Sequence, residues 1–363
     1  MNNSVGHVMT DYAGNLWFTS TRQGVMKVVP NQFSDIFERY DLSKNVVNTT
    51  CLCDGQLFIG TDLGLIVLGQ ESMLTELPLT EAVTASGTKL PYTDLLDLLS
   101  SSRIRSIIRD SQDRLWISTW RNVGLLRYGH VRLTVVGPDD GLFSDRVRTV
   151  VERPDGSMLV ASTGGVSIIE GDRVTAGYGK EDGIGNIEVL TVADSPNGDI
   201  VIGTDGGGIY VISDDGLRHI DTEDGLLSDV VMRIKHDRDR SLFWIVTSNS
   251  IAYMTEDYQV TSIQKFPYSN NFNLYENSRG DIWVLASNGI YVVPVDMLLK
   301  NGDIAPVYYG RDNGLPCIAT ANSYSELTDA GELYMASTTG VAKVNIEARS
   351  RSEERRVGKE CRS

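Results

Sequence analysis

The residues best suited to chemistry are arginines and one tryptophan gathered in a short span. "SSRIRSI" supplies Arg103 and Arg105, "SDRVRTV" supplies Arg146 and Arg148, and "STWRNVG" places Trp120, Arg121 and Asn122 in the turn between them. A similar turn, "STRQG", carries Arg22 near the N-terminus. Guanidinium forks bind carboxylates bidentately, and an exposed indole offers an apolar face to a sugar ring. Together they could hold an acidic or neutral oligosaccharide. The competing expectation is that these arginines neutralise Asp139, Asp140 and Asp145 of the adjoining segment.

Other chemistry is sparse. "DIVIGTDGGGIYV" looks at first like a phosphate cradle, but a cradle needs a helix after the glycines and a lysine within reach. Here an apolar alternating run follows, so the glycines read as a hairpin turn. The four histidines, His7, His130, His219 and His236, fall in different segments without metal-ligand spacing, and His130 reads as a solvent-facing residue of an outer strand. Cys51 and Cys53 share one face of an extended strand and read as small buried residues. No metal and no cofactor is expected.

The elements that must position these residues repeat. Eight copies of a strand–turn–strand unit have their bulky anchors at Trp17, Phe58, Trp116, Leu159, Val201, Trp244, Trp283 and Tyr334. The separations are 41, 58, 43, 42, 43, 39 and 51 residues, the longest containing an insertion at about 70–101 that suits a loop or short helix. Three residues after the anchor stands a hydroxyl in seven copies (Ser20, Thr61, Thr119, Ser162, Thr204, Thr247, Ser337), with Ala286 the exception. Such a column predicts one recurring hydrogen bond to a turn backbone. Four short antiparallel strands in about 42 residues, repeated, predict an all-β chain of β-propeller blades.

Between copies runs a second element: "PDDGLFSDRV", "KEDGIGNIEV", "TEDGLLSDVV" and "GRDNGLPCIA". With the strand pattern D-x-x-G-x-[LI]-W-[IV]-x-[ST]-x-x-G it resembles the two-component regulator propeller repeat. That resemblance covers roughly residues 3–346. It implies the extracytoplasmic sensor half of a bacterial hybrid histidine kinase or diguanylate cyclase, with a small-molecule or oligosaccharide ligand and a homodimeric full-length protein. Copy 6 departs from it, with extra residues before Trp244, Ser250 in place of glycine and a connector without Asp-Gly-Leu, so that blade is expected to be distorted.

Eight copies suit a seven-bladed ring of copies 2–8 with copy 1 left from an upstream propeller, and an eight-bladed ring is the competitor. Residues 1–350 read as propeller. The basic run at 351–363 looks like the in-frame translation of a sequencing adapter, a disordered non-native tail that includes Cys361. The net charge of −15 argues against nucleic acid, and no run of 18 apolar residues marks a membrane span or secretion signal. The sensor reading competes with a propeller lyase or glycosidase, which needs converging carboxylates or a Tyr/His pair, and with a secreted protein-binding scaffold.

Overall fold

The computed structural model describes residues 5–11, 15–20, 24–28, 31–121 and 123–348. The expected all-β architecture is present. Copy 4 shows the unit in regular form. Val147–Glu152, Met158–Ser162, Gly165–Glu170 and Arg173–Gly179 pair antiparallel in chain order. The second strand of such a unit lies between two neighbouring sheets, so both of its faces are covered: Leu115–Thr119, Met158–Ser162 and Ile200–Thr204 are buried at every position. That is why these strands read as continuous apolar runs, whereas the outermost strand of copy 4 alternates between exposed and part-buried residues along most of its length.

From Val47 onward seven sheets of the described residues succeed one another. The last meets the first: the Thr50 amide donates to the Tyr324 carbonyl (2.9 Å), and the Glu326 amide to Thr50 Oγ1 (2.9 Å). The final sheet has three strands from copy 8 and a fourth, Phe33–Asp35, from the other end of the chain, paired antiparallel with Val341–Asn345. Ahead of it, the three strands of copy 1 leave Val8, Met9, Val25 and Met26 exposed.

The hydroxyl column does what its recurrence predicts. Thr61, Thr119, Ser162, Thr204, Thr247 and Ser337 each donate from Oγ to the carbonyl that closes their own turn, at Gly64, Gly124, Gly165, Gly208, Ser250 and Gly340. The connectors form short 3-10 turns. In each, the third residue's side chain (Asp140, Asp182, Asp224 or Asn313) accepts from the backbone amide preceding the turn, and a glycine at positive φ ends it. The next residue in each, Leu142, Ile184, Leu226 or Leu315, is buried.

Three expectations are corrected. Copy 6 is a regular four-stranded sheet: the Ser250 carbonyl takes the Thr247 bonds as the glycines do elsewhere, and only its connector departs. The insertion supplies not only a helix, Leu95–Leu99, but also a strand, Glu81–Thr84, added parallel to Arg132–Val136 as a fifth member of the copy 3 sheet; copy 2 correspondingly has three. His130 is exposed, but in the two-residue turn between the outer strands rather than in one of them. Cys51 and Cys53 are buried free thiols, and Cys361 lies outside the described residues.

Candidate ligand-binding site at the channel mouth

Every innermost strand from copy 2 to copy 7 begins with a bulge. Register shifts fall between Val47 and Thr49, Val147 and Thr149, Val189 and Thr191, Val231 and Arg233, and Asn271 and Asn273, with the equivalent shift in copy 3 opposite Arg105. Each bulge leaves one residue out of the ladder, and bulges are a recurrent means of re-aiming a side chain beside a site. The residues so released are Asn48, Arg105, Arg148, Leu190, Met232 and Phe272. Two adjacent blades therefore place an arginine at the same level of the ring.

Trp120 organises them. Its amide donates to the Arg103 carbonyl (2.8 Å), and it forms a single antiparallel bridge with Arg146, which ties the copy 3 turn to the start of copy 4. The guanidinium carbons of Arg148, Arg105 and Arg146 lie 4.4, 4.6 and 5.8 Å from its ring centre. Arg103 stands apart, bonded through Nε to Asp62 (2.7 Å), which Asn48 also contacts (2.8 Å). Arg121 occupies the turn at φ 71° with its amide on the Asp145 carbonyl, and its exposed side chain does not join the stack. Arg22 and Asn122 lie outside the described residues.

The aspartates expected to neutralise the arginines are not in ion-pair contact with them. Asp140 accepts from the amides of Gly137 and Ser86, and among the described residues no ion pair joins Asp139, Asp140 or Asp145 to any of the arginines. Burial, reinforced by Arg148 and Arg103, brings the Arg105 guanidinium down to about 10, and burial likewise lowers Arg148.

Two members escaped the sequence reading. Arg233 lies 3.7 Å over the Tyr324 ring and donates to the carbonyls of Met232 and Asn322. Lys235 donates to the Leu274 carbonyl (2.5 Å) and sits 4.0 Å over Tyr275, with burial and Arg233 pulling its ammonium down to about 7. A column comparison would have found both: Arg233 stands where other copies have Thr49, Ser106, Thr149, Thr191 and Asn273. They line a cavity of about 400 Å³ inside the ring, together with Thr149, Tyr324 and Glu326.

Acid–base machinery is thin in this cavity. Glu326, held above the usual carboxylate range by burial, accepts from the Leu52 amide. His219 and His236 are engaged elsewhere, on the Gly207 carbonyl and Glu256. Among the described residues no group of His, Cys, Asp or Glu could hold a metal ion.

The family described as Two component regulator propeller matches residues 98–121, the segment that contains Arg103, Arg105 and Trp120. That segment, in copy 3, matches the two-component regulator propeller repeat that the sequence pattern resembles. Solved structures with this propeller's fold include the extracellular domains of two B. thetaiotaomicron proteins named as hybrid two component systems. BT3049 is 20% identical with a TM-score of 0.72, covering 96% of this chain and 46% of that one. BT4673 is 15% identical with a TM-score of 0.65, covering 97% and 48%. The propeller thus spans a little under half of either ectodomain. Virginiamycin B lyase from Staphylococcus aureus shares the fold at 11% identity and a TM-score of 0.59, covering 87% of this chain and 98% of that one. A search of the curated proteins found no match. Among the described residues no helix is long and apolar enough to cross a membrane.

Proposed function

We propose that this propeller is the ligand-sensing, extracytoplasmic part of a bacterial membrane-bound signalling protein, and that a carbohydrate or other small ligand binds at the channel mouth on Trp120. Binding would alter how propellers pack in a homodimer and so reach a cytoplasmic kinase or cyclase. In this reading copies 2–8, closed by Phe33–Asp35, are a seven-bladed ring within a propeller region of residues 1–350. The exposed three-stranded sheet of copy 1 stands outside that ring.

The observation that carries the reading is the Trp120 stack: an indole flanked by the guanidinium groups of Arg105 and Arg148 at the channel mouth, neither of which is in ion-pair contact with a carboxylate among the described residues. A sensor needs such a surface and needs no base. A lyase or glycosidase is less well served, since Glu326 and Lys235 both engage backbone groups and His219 and His236 bond outside the cavity. The test is calorimetric titration of an oligosaccharide panel into the wild-type chain and Trp120→Ala. Binding to the wild type that is lost in the variant, with no turnover, is expected; equal affinity for both proteins removes the site.

A further inference from the structure

We propose that the channel mouth holds its ligand by an oxyanion group, a carboxylate or sulfate seated among Arg105, Arg148 and Arg233; this rests on the ligand-binding reading of the same site.

The three side chains come from copies 3, 4 and 6 and meet through shared partners. Arg105 and Arg148 flank Trp120, while Arg148 and Arg233 both donate to Asn322, one to its side-chain oxygen (3.3 Å) and one to its carbonyl. Arg105 is 6% exposed and Arg233 5%. The Nε–H groups of all three are buried and have no hydrogen-bond partner. Guanidinium groups stay charged at neutral pH, so Arg105 and Arg233 are buried cations and Arg148 a half-buried one, all with unused donors, an arrangement that is costly unless something supplies charge and acceptors. Asp62 acts on Arg105 from a distance, as Glu188 and Asp205 act on Arg148, yet among the described residues only Arg103 of this sector has a carboxylate in ion-pair contact, Asp62. An oxyanion supplies both missing terms, because its oxygens accept several N–H bonds from forked donors at once.

A neighbouring depression suits the rest of such a ligand. About 490 Å³ in volume, it has Arg103, Asn48 and Asn322 beside Phe272 and Ile318, so a ligand with an apolar face can lie there with its acid group inward. A uronic acid residue or a sulfated sugar has that form.

The probe is sodium sulfate against sodium chloride at equal ionic strength, read by thermal unfolding of the full chain and of Arg148→Gln and Arg105→Gln. General salting-out by sulfate acts on all three proteins alike, so the difference between them reports the site. Sulfate is expected to raise the wild-type Tm by about 2 °C or more beyond its effect on the variants. Without sulfate, Arg148→Gln gives up the Trp120 stack and the Asn322 bond and is expected to melt somewhat lower than wild type, so each protein is read against its own chloride baseline. The idea is overturned if sulfate shifts all three equally. Should a variant not fold, tryptophan fluorescence of the wild type titrated with sulfate, with Trp120→Phe as blank, gives the same decision: a saturable change confined to the wild type supports the site, and its absence overturns it. Glucuronate against glucose then separates the two claims. Equal binding of both sugars, lost in Trp120→Ala, leaves the sensor site standing and removes the oxyanion requirement.

Discussion

Copies 3 and 4 and copies 5 to 7 are built on one frame and differ where the frame is silent. All five have a bulged inner strand and a buried second strand, and all but copy 7 tie the turn with the same hydroxyl bond. At the bulge, however, copies 3 and 4 carry Arg105 and Arg148, while copies 5 to 7 carry Leu190, Met232 and Phe272. Recurring positions make the ring, and positions that the repeat leaves open decide what the ring can hold. Substitutions in the two classes should therefore separate: frame changes move stability, and mouth changes move binding with little effect on folding.

The largest effect is expected at a frame glycine. Gly208 has φ +71°, its carbonyl accepts from Thr204 Oγ1, and a Cβ there would stand 2.3 Å from the Ile220 carbonyl oxygen. Gly208→Ala should cost about 3 kcal/mol in denaturant unfolding. A cost near that of Trp120→Ala would erase the distinction between frame and mouth.

Lys235 tests the inside of the ring through pH. Its folded value of about 7 lies below its ordinary value of 10.5, so between these limits the unfolded chain binds more protons than the folded one. Stability from this group must then rise as pH rises from 7 towards 10, and the penalty is greatest below pH 7. Lys235→Met should stabilise the propeller by a few kcal/mol at pH 6, with the advantage fading towards pH 10. An advantage that does not vary with pH would mean that the ammonium is not desolvated.

A smaller effect isolates the hydroxyl column. Thr204→Val removes the Oγ1 bond to the Gly208 carbonyl while keeping shape, and should cost about 1 kcal/mol. The finest contrast lies between two anchors. Trp116 Nε1 donates to Asp110 (2.8 Å), whereas buried Trp283 Nε1 has no partner, its copy having Asn277 in place of the aspartate. Trp116→Phe should therefore cost about 1 kcal/mol more than Trp283→Phe in equilibrium unfolding. Equal losses would show that the aspartate contributes nothing through the indole.

The same division between frame and mouth explains how much was legible in the sequence. The anchors, the hydroxyls and the Asp-Gly-Leu connectors recur because each unit meets the same neighbours, so their structural role could be read from repetition alone. Trp120, Arg105 and Arg148 stood out as departures from that repetition, and the structure brings them together with Arg146. Arg233 did not, since it stands one place after the bulge position that Arg105 and Arg148 occupy, where copy 6 has Met232. The strand Glu81–Thr84 occurs once, within an insertion, and has no sibling to reveal it. Phe33–Asp35 is three residues long, and nothing local marks its partner at the far end of the chain.

That last pairing sets an order of events during synthesis. Ser34 emerges from the ribosome about 310 residues before Lys343, its partner in the final sheet. At roughly 5–20 residues per second the early strand must wait on the order of 15–60 s for the surface it will cover. Through that interval Phe33 has no place to bury itself and the nascent ring has two raw edges. A propeller stitched shut by its own beginning is thus most exposed to faulty partners while it is being made, and is secured only when its last repeat arrives.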